Sequence, residues 1–274
     1  MLTSPKFVRL MTKAFILGSS MLAGSKPVLS NSSKQSQASP PLPSQKEVDK
    51  MLKHLDKLWK SKTSYTEVSM VVHTKNYKRK LTFNSWSKNS THSLVLIKSP
   101  EREKGIATLK IEEDMINYLP NIGRTQKITG PLRNNKWMGS HFTNNDLLQA
   151  SKLAENYKSK VEKVNKMGKS IIWYIDGTLR KGKVSPYKRV VLAVHKAKKY
   201  PISQKFYDQH NKLVREMKYS KVKKKGKKYI PHLIRLTPKT KNMQDEFTEL
   251  TYEKIKNNIK IGDHIFTVAH LENL

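Results

Sequence analysis

Tyr65-Thr66-Glu67-Val68-Ser69-Met70-Val71-Val72-His73 decides the fold class of this 274-residue chain. Val68, Met70 and Val72 share one side of an extended backbone, the period of two expected of a half-buried strand. Immediately upstream the period is different. Ser44-Gln45-Lys46-Glu47 fits a capping box, in which the Ser hydroxyl and the Glu carboxylate satisfy orphan backbone N–H groups. Val48, Met51, Leu52, Leu55, Leu58 and Trp59 then recur at helical spacing, with Lys46, Lys50, Lys53, Asp56, Lys57 and Lys60 largely on the other side. One amphipathic helix over 48–59 opens the domain, and the change of period beyond Ser61 closes it.

From there the alternation repeats to the end of the chain. Strand-like runs occupy 80–87, 92–98, 105–112, 115–119 and 125–129. After an irregular middle they resume at 157–164, 170–179, 189–195, 202–208, 213–222, 229–236 and 246–255. Lys75-Asn76, Lys88-Asn89-Ser90, Glu113-Asp114, Asn121-Ile122-Gly123 and Gln209-His210-Asn211 are short polar breaks suited to hairpins. No helical segment of ten residues separates the runs, so a parallel βαβ sheet is excluded. The reading is a mainly β chain with helices (α+β): one large, strongly curved antiparallel sheet in a single domain over 45–274. The concave face of such a sheet carries apolar side chains that one or two short helices cannot fully cover. It becomes either a packed core or a cavity for an apolar ligand.

Composition bounds the function. There is no Cys, which removes disulfide scaffolds, thiol catalysis, zinc ribbons and iron–sulfur clusters. Lys plus Arg number 54 against 21 acids, a formal net charge of +33. No run of about twenty apolar residues is present, so a polytopic helical membrane protein is excluded. Residues 1–30 read as an export signal: Lys6, Arg9 and Lys13 form a basic start, 14–24 an apolar stretch too short to anchor, and small residues follow. No Cys follows it, which closes the lipid-anchoring route and leaves a mature chain free in the periplasm. Residues 31–44, rich in Ser, Pro and Gln, read as a flexible tether.

Motifs for chemistry are weak. Gly177-Thr178-Leu179-Arg180-Lys181-Gly182-Lys183 has phosphate-loop spacing, but Val184 stands where a Mg²⁺-binding hydroxyl belongs and Pro186 follows where a helix should start. It reads as a basic turn. Glu112-Glu113-Asp114 lies between two alternating runs and reads as a solvated turn. The nine His are scattered without metal-ligand spacing. No catalytic signature, cofactor loop or metal set is found, so a non-enzymatic protein without a cofactor is expected. Residues 177–242 hold 21 Lys plus Arg against Asp208 and Glu216. Polyanion binding is the direct reading. The excess of Lys over Arg, 45 to 9, argues against bidentate phosphate recognition and suits looser attraction to anionic lipid headgroups.

From residue 61 onward the chain resembles the LolA-like family of outer membrane lipoprotein-sorting proteins. The resemblance runs through Ser69-Met70, the basic hairpin 77–86, Leu96-Ile97-Lys98-Ser99-Pro100, Lys104-Gly105, Met115-Ile116-Asn117-Tyr118-Leu119-Pro120, Arg124 and Ile128. Its most distinctive block is Met138-Gly139-Ser140-His141-Phe142-Thr143-Asn144-Asn145-Asp146-Leu147, where family members typically carry an acid at the place of His141. Glu249-Leu250-Thr251-Tyr252 and Phe266-Thr267-Val268 complete it. The resemblance implies a half-open antiparallel β-barrel with a helical lid, carrying lipid or lipoprotein acyl chains, and it favours the cavity over the packed core.

The inner-strand side chains expected to line that cavity are Met70, Val72, Leu81, Phe83, Leu94, Leu96, Leu109, Ile111, Tyr118, Trp137, Phe142 and Trp173. Residues 134–148 and the helix over 48–59 are the expected lids. The expected function is a periplasmic carrier transferring acyl chains toward the outer membrane. Its expected partners are the acyl cargo, an inner-membrane lipoprotein-releasing or RND-type transporter, and an anionic membrane surface met by the basic face. The alternatives are a secreted nucleic acid- or lipopolysaccharide-binding protein using 177–242, and an envelope module with a packed, ligand-free core.

Overall fold

The structure is a computed structural model that describes residues 40–274 apart from 60, 90, 149–151 and 244. The export signal at 1–30 and most of the tether lie outside the described residues. Among the described residues no helix is long and apolar enough to cross a membrane.

Helix α1 (Gln45–Asp56) starts where its sequence says it should. Ser44 Oγ accepts from the Glu47 N–H, and the Glu47 carboxylate accepts from the Ser44 N–H at 2.9 Å. The apolar stripe predicts a helix running to Trp59, but α1 ends at Asp56. Its end is set by tertiary contacts. The Asp56 carboxylate accepts the backbone N–H groups of Leu153 and Ala154 at 3.2 and 3.0 Å, and Lys228 Nζ donates to the Lys57 carbonyl at 2.9 Å. Leu58 and Trp59 reach the interior from a turn instead of a helix.

Among the described residues thirteen antiparallel strands follow in one open sheet. Six form a meander: β1 (Thr63–His73), β2 (Lys78–Lys88), β3 (His92–Ser99), β4 (Ala107–Ile111), β5 (Asp114–Leu119) and β6 (Arg124–Lys127). Seven form a second: β7 (Tyr157–Met167), β8 (Ser170–Leu179), β9 (Arg189–His195), β10 (Tyr200–Tyr207), β11 (Leu213–Lys225), β12 (Lys228–Pro238) and β13 (Phe247–Asn257). Pairing of β1 with β13 joins the two meanders, so the sheet runs from β6 through β1 and β13 to β7, with free edges at both ends. The fold is the half-open, curved antiparallel sheet with helices expected of the sequence.

The chain must therefore travel from one edge of the sheet to the other between β6 and β7. It does so across the inner face, through 3₁₀ turns at Gly130–Asn134 and Trp137–Gly139 and the short helices α2 (Asn144–Leu148) and α3 (Leu153–Asn156). We call residues 136–148 the strap. Trp137 packs on Val68, Met70, Phe83 and Ile97 of β1–β3, while Phe142 packs with Ile234 and Leu236 of β12. At the β7 end, Val48, Met51, Leu52 and Leu55 of α1 pack on Val161, Trp173, Ile175, Leu192 and Val194.

Part of the outer face is covered too. A 3₁₀ turn at Asp263–Phe266 and helix α4 (Val268–Glu272) bury Phe266 and Leu271 against Leu94, Ala107, Leu109 and Tyr118. Strands β3 and β4 thus have apolar cover on both sides. That explains why Leu94-Val95-Leu96-Ile97 is a continuous apolar run instead of an alternating one.

Candidate functional site

Strands β11, β12 and β13 present Met217, Tyr219, Ile234, Leu236, Leu250 and Tyr252 to the inner face, below Trp59 on one side and Phe142 and Leu147 of the strap on the other. Ile234 and Leu236 are closed off from solvent, yet Trp59, Leu147, Met217, Tyr219, Leu250 and Tyr252 are only half-buried. Tyr219 and Tyr252 nevertheless stand among enough protein atoms that burial pushes both phenols up. With Trp59 on one side and the strap on the other, these half-buried side chains form an apolar patch on the inner face, which we call the recess. Trp59 lies over Tyr219 at a centroid separation of 6.0 Å, and its buried indole Nε1 has no hydrogen-bond partner. The recess is apolar, with the Tyr219 hydroxyl turned aside to Gln204 Oε1 at 3.2 Å.

The two sides of the recess are held differently. Polar pins fix the strap to both meanders. Arg79 donates to the Met138 carbonyl and, at 2.5 Å, to buried Glu103. His141 sits between Thr248 Oγ1 at 2.8 Å and Glu246 Oε2 at 2.9 Å, with its own backbone N–H also on Thr248 Oγ1. Asp146 takes both Arg215 amino groups at 2.7 and 2.5 Å, and the Arg215 guanidinium lies between the Tyr187 and Phe206 rings at 4.5 and 4.4 Å. Trp137 adds a T-shaped contact on Phe83 and an Nε1 hydrogen bond to Thr108 at 3.1 Å. The α1 side relies on an apolar stripe, the Asp56 caps and a Gln45 bond to the Ser159 carbonyl.

The expected cavity residues fall on both faces of the sheet. Met70, Val72, Leu81 and Phe83 pack on the inner face with Trp137. Phe142 stands at the recess and Trp173 lies beneath α1. Leu94, Leu96, Leu109, Ile111 and Tyr118 lie on the opposite face, packed under the C-terminal segment. In β3 both parities are apolar. In β4 the inner-face positions are the polar Thr108 and Lys110 under the strap, while Ala107, Leu109 and Ile111 face the C-terminal segment, so alternation does not identify the inward face. The recess residues Met217, Tyr219, Ile234, Leu236, Leu250 and Tyr252 were not singled out from sequence. Their signal was present in the alternating pairs 217/219, 234/236 and 250/252, but it was masked by the charge of the surrounding region.

Two grooves lie instead on the outer face. One of about 540 Å³ crosses β10–β13 and is lined by Ser203, Glu216, Lys218, Arg235 and Glu249 over Leu233. A smaller one lies over Glu67, Ser69, Lys80, Asn84 and Glu253. The first is lined mostly by apolar surface, with Ile202 and Tyr219 beside Leu233 and the Arg235–Glu249 ion pair at 2.9 Å, while the second mixes polar and apolar surface. The phosphate-loop spacing at 177–183 dissolves in the fold: Gly177 is inside β8, where a Cβ would meet Ser159 Oγ at 2.8 Å, and no helix follows. Glu112 to Asp114 form an exposed turn, with Lys152 on Glu113 at 2.6 Å and Lys127 on Asp114 at 3.0 Å.

An open antiparallel sheet crossed on its inner face by a strap is the LolA-superfamily fold. A DUF1329 family protein from Desulfovibrio piger superposes with a TM-score of 0.74 at 20% identity, covering 82% of this chain and 98% of that one. A putative outer membrane lipoprotein-sorting protein domain from Vibrio parahaemolyticus gives 0.71 at 21%, covering 82% and 97%. A LolA superfamily protein from Nitrosomonas europaea gives 0.66 at 19%, covering 81% and 97%. A family model whose description reads "Uncharacterized protein" matches residues 89–273, and the chain belongs to that family. No curated protein matches it.

Proposed function

We propose that the protein is an exported, non-enzymatic carrier that holds lipid or lipoprotein acyl chains in the recess between β11–β13, Trp59 and the strap. The observation that carries this reading is the set of half-buried aromatic and thioether side chains around the recess. Met and aromatic groups adapt to flexible chains. Met70, Val72, Leu81 and Phe83 continue the same inner face but are sealed beneath Trp137 of the strap. Each CH₂ taken from water contributes about 0.8 kcal/mol, so one chain supplies ample affinity if opening is cheap. The pinned strap is the fixed wall. The turn from Asp56 to Trp59, which ends in the half-buried Trp59 indole, is the gate.

In this reading residues 1–30 direct export and are removed, and the mature chain works in the periplasm without a lipid anchor. It carries cargo toward the outer membrane. An inner-membrane lipoprotein-releasing or RND-type transporter supplies the energy, since the chain carries no nucleotide loop.

Native mass spectrometry of the mature chain from the periplasm, followed by lipid extraction, tests this. Phospholipid or acylated peptide that stays bound at high salt is the expected result. A ligand-free chain that also takes up no fluorescent fatty acid would end the carrier reading.

A further inference from the structure

Antiparallel connectivity places alternate hairpins on opposite rims of the sheet. The β7–β8, β9–β10 and β11–β12 turns share one rim. Residues 166–170, 195–200 and 221–229 hold two, three and six lysines respectively, with no acid and no Arg among them. Most of these lysines are exposed, and among the described residues none of them forms an ion pair. The opposite rim is built differently. Within this meander Lys183 pairs there with Glu155 at 2.5 Å and the turns also contain Asp208, Asp245 and Glu246, while the acids of the basic rim, Glu112, Glu113 and Asp114, lie in the β4–β5 turn of the first meander.

The basic rim borders the gate. Lys228, in the β11–β12 hairpin, donates to the Lys57 and Leu58 carbonyls just beyond α1. His54 of α1 is held below its ordinary value by burial and then by the charges of Lys199 and Lys228, so the rim's positive field reaches the helix. α1 adds exposed Lys46, Lys50 and Lys53, and Lys57 follows at its end. Met167, 63% exposed, projects from the β7–β8 turn as an apolar tip.

We propose that this rim, with the lysine face of α1, docks the carrier on an anionic phospholipid bilayer and presents its gate to the headgroups. The proposal deepens the carrier reading by naming the surface on which cargo is exchanged. Three tips spread over four strand spacings span about 20 Å, a broad row suited to a plane of charge. Lysine ammoniums on flexible stems attract headgroups without fixed geometry, each contributing about a fivefold gain in partition. Nucleic acid recognition would call for guanidinium forks and stacking rings, and these turns contain no Arg.

The mature chain is tested by co-sedimentation with phosphatidylcholine vesicles and with vesicles of phosphatidylcholine and phosphatidylglycerol in equal parts. Binding to the anionic vesicles alone is expected. Lys223→Gln, Lys224→Gln and Lys227→Gln together should weaken it about a hundredfold. Lys181→Gln, Lys188→Gln and Lys212→Gln on the opposite rim should change it only a few-fold. Equal losses from both triples, binding that ignores phosphatidylglycerol, or binding to duplex DNA but not to vesicles would each overturn the proposal. Fluorescent fatty acid uptake is measured on the same proteins, and the basic-rim triple should retain it. Rim-dependent vesicle binding without any fatty acid uptake would uphold the docking surface and defeat the carrier reading instead.

Discussion

At the residue scale the strap depends on two buried polar pins that cost more to break than they contribute when whole. The Arg215 and Asp146 side chains are 8% and 14% exposed. Asp146→Asn leaves the guanidinium buried between two rings without its counter-charge, and should destabilise the protein by about 3–5 kcal/mol. Urea unfolding measures this, and Asp146→Asn combined with Arg215→Met should recover much of the loss. The second pin responds to pH. The His141 hydrogen bond, and next the Lys75 N–H, hold the Glu246 carboxyl below the usual carboxylate range. A carboxyl held down in the folded state contributes stability that is complete above its unfolded value, about 4.3, and is lost as pH falls through the lower folded value. Glu246→Gln should therefore flatten the acid limb of a stability profile measured by urea midpoints below about pH 4.3. An acid limb as steep as the parent's would show that the latch does not titrate.

At the element scale α1 is legible almost residue by residue, because its signals are local. Ser44 and Glu47 close a capping box across three residues, and Ser44→Ala should cost about 1 kcal/mol of thermal stability. Only its end was misjudged, since periodicity records which residues reach the core and not whether the backbone stays helical on the way. The strands were equally readable, with turn residues bracketing each alternating run. Two runs go beyond their pattern: β7 continues to Met167, and the β11–β12 hairpin extends to Lys225 and Lys228 although its tip is a run of lysines. Cross-strand pairs such as Lys223–Ile230 and Lys224–Tyr229 hold it, and no single-strand pattern reports them. The Trp59 turn is the element to watch for cargo. Trp59→Ala should lower fluorescent fatty acid affinity several-fold while leaving the unfolding midpoint nearly unchanged, because the indole is half-buried and Nε1 unpartnered.

For the whole molecule, β1 and β13 close a sheet whose two halves lie far apart in sequence. Ser64 pairs with Asn257, and the two meanders cannot join until the last strand is made. Such non-local pairing predicts slow folding, on the order of seconds or longer in stopped-flow refolding. The outer cover makes a separate demand. Deleting residues 261–274 removes Phe266 and Leu271 from Leu94, Leu109 and Tyr118. That would expose an apolar sheet face, and the truncated chain should aggregate in size-exclusion chromatography, where the full chain elutes discretely.

The sequence by itself determined the opening helix, the thirteen strands, the antiparallel order and the resemblance to lipoprotein-sorting proteins. Period, caps and turns are properties of neighbouring residues. Only the tertiary structure decided which face of β3–β5 looks inward, because the C-terminal segment gives the outward face an apolar partner while the strap satisfies Thr108 and Lys110 on the inward one. It also decided where the recess lies. Met217, Tyr219, Leu250 and Tyr252 come together through strand pairing and a strap that crosses the whole sheet. Segregation of the lysines belongs to the fold in the same way. Alternating hairpins sort charges more than fifty residues apart onto one rim, and composition could count them without placing them.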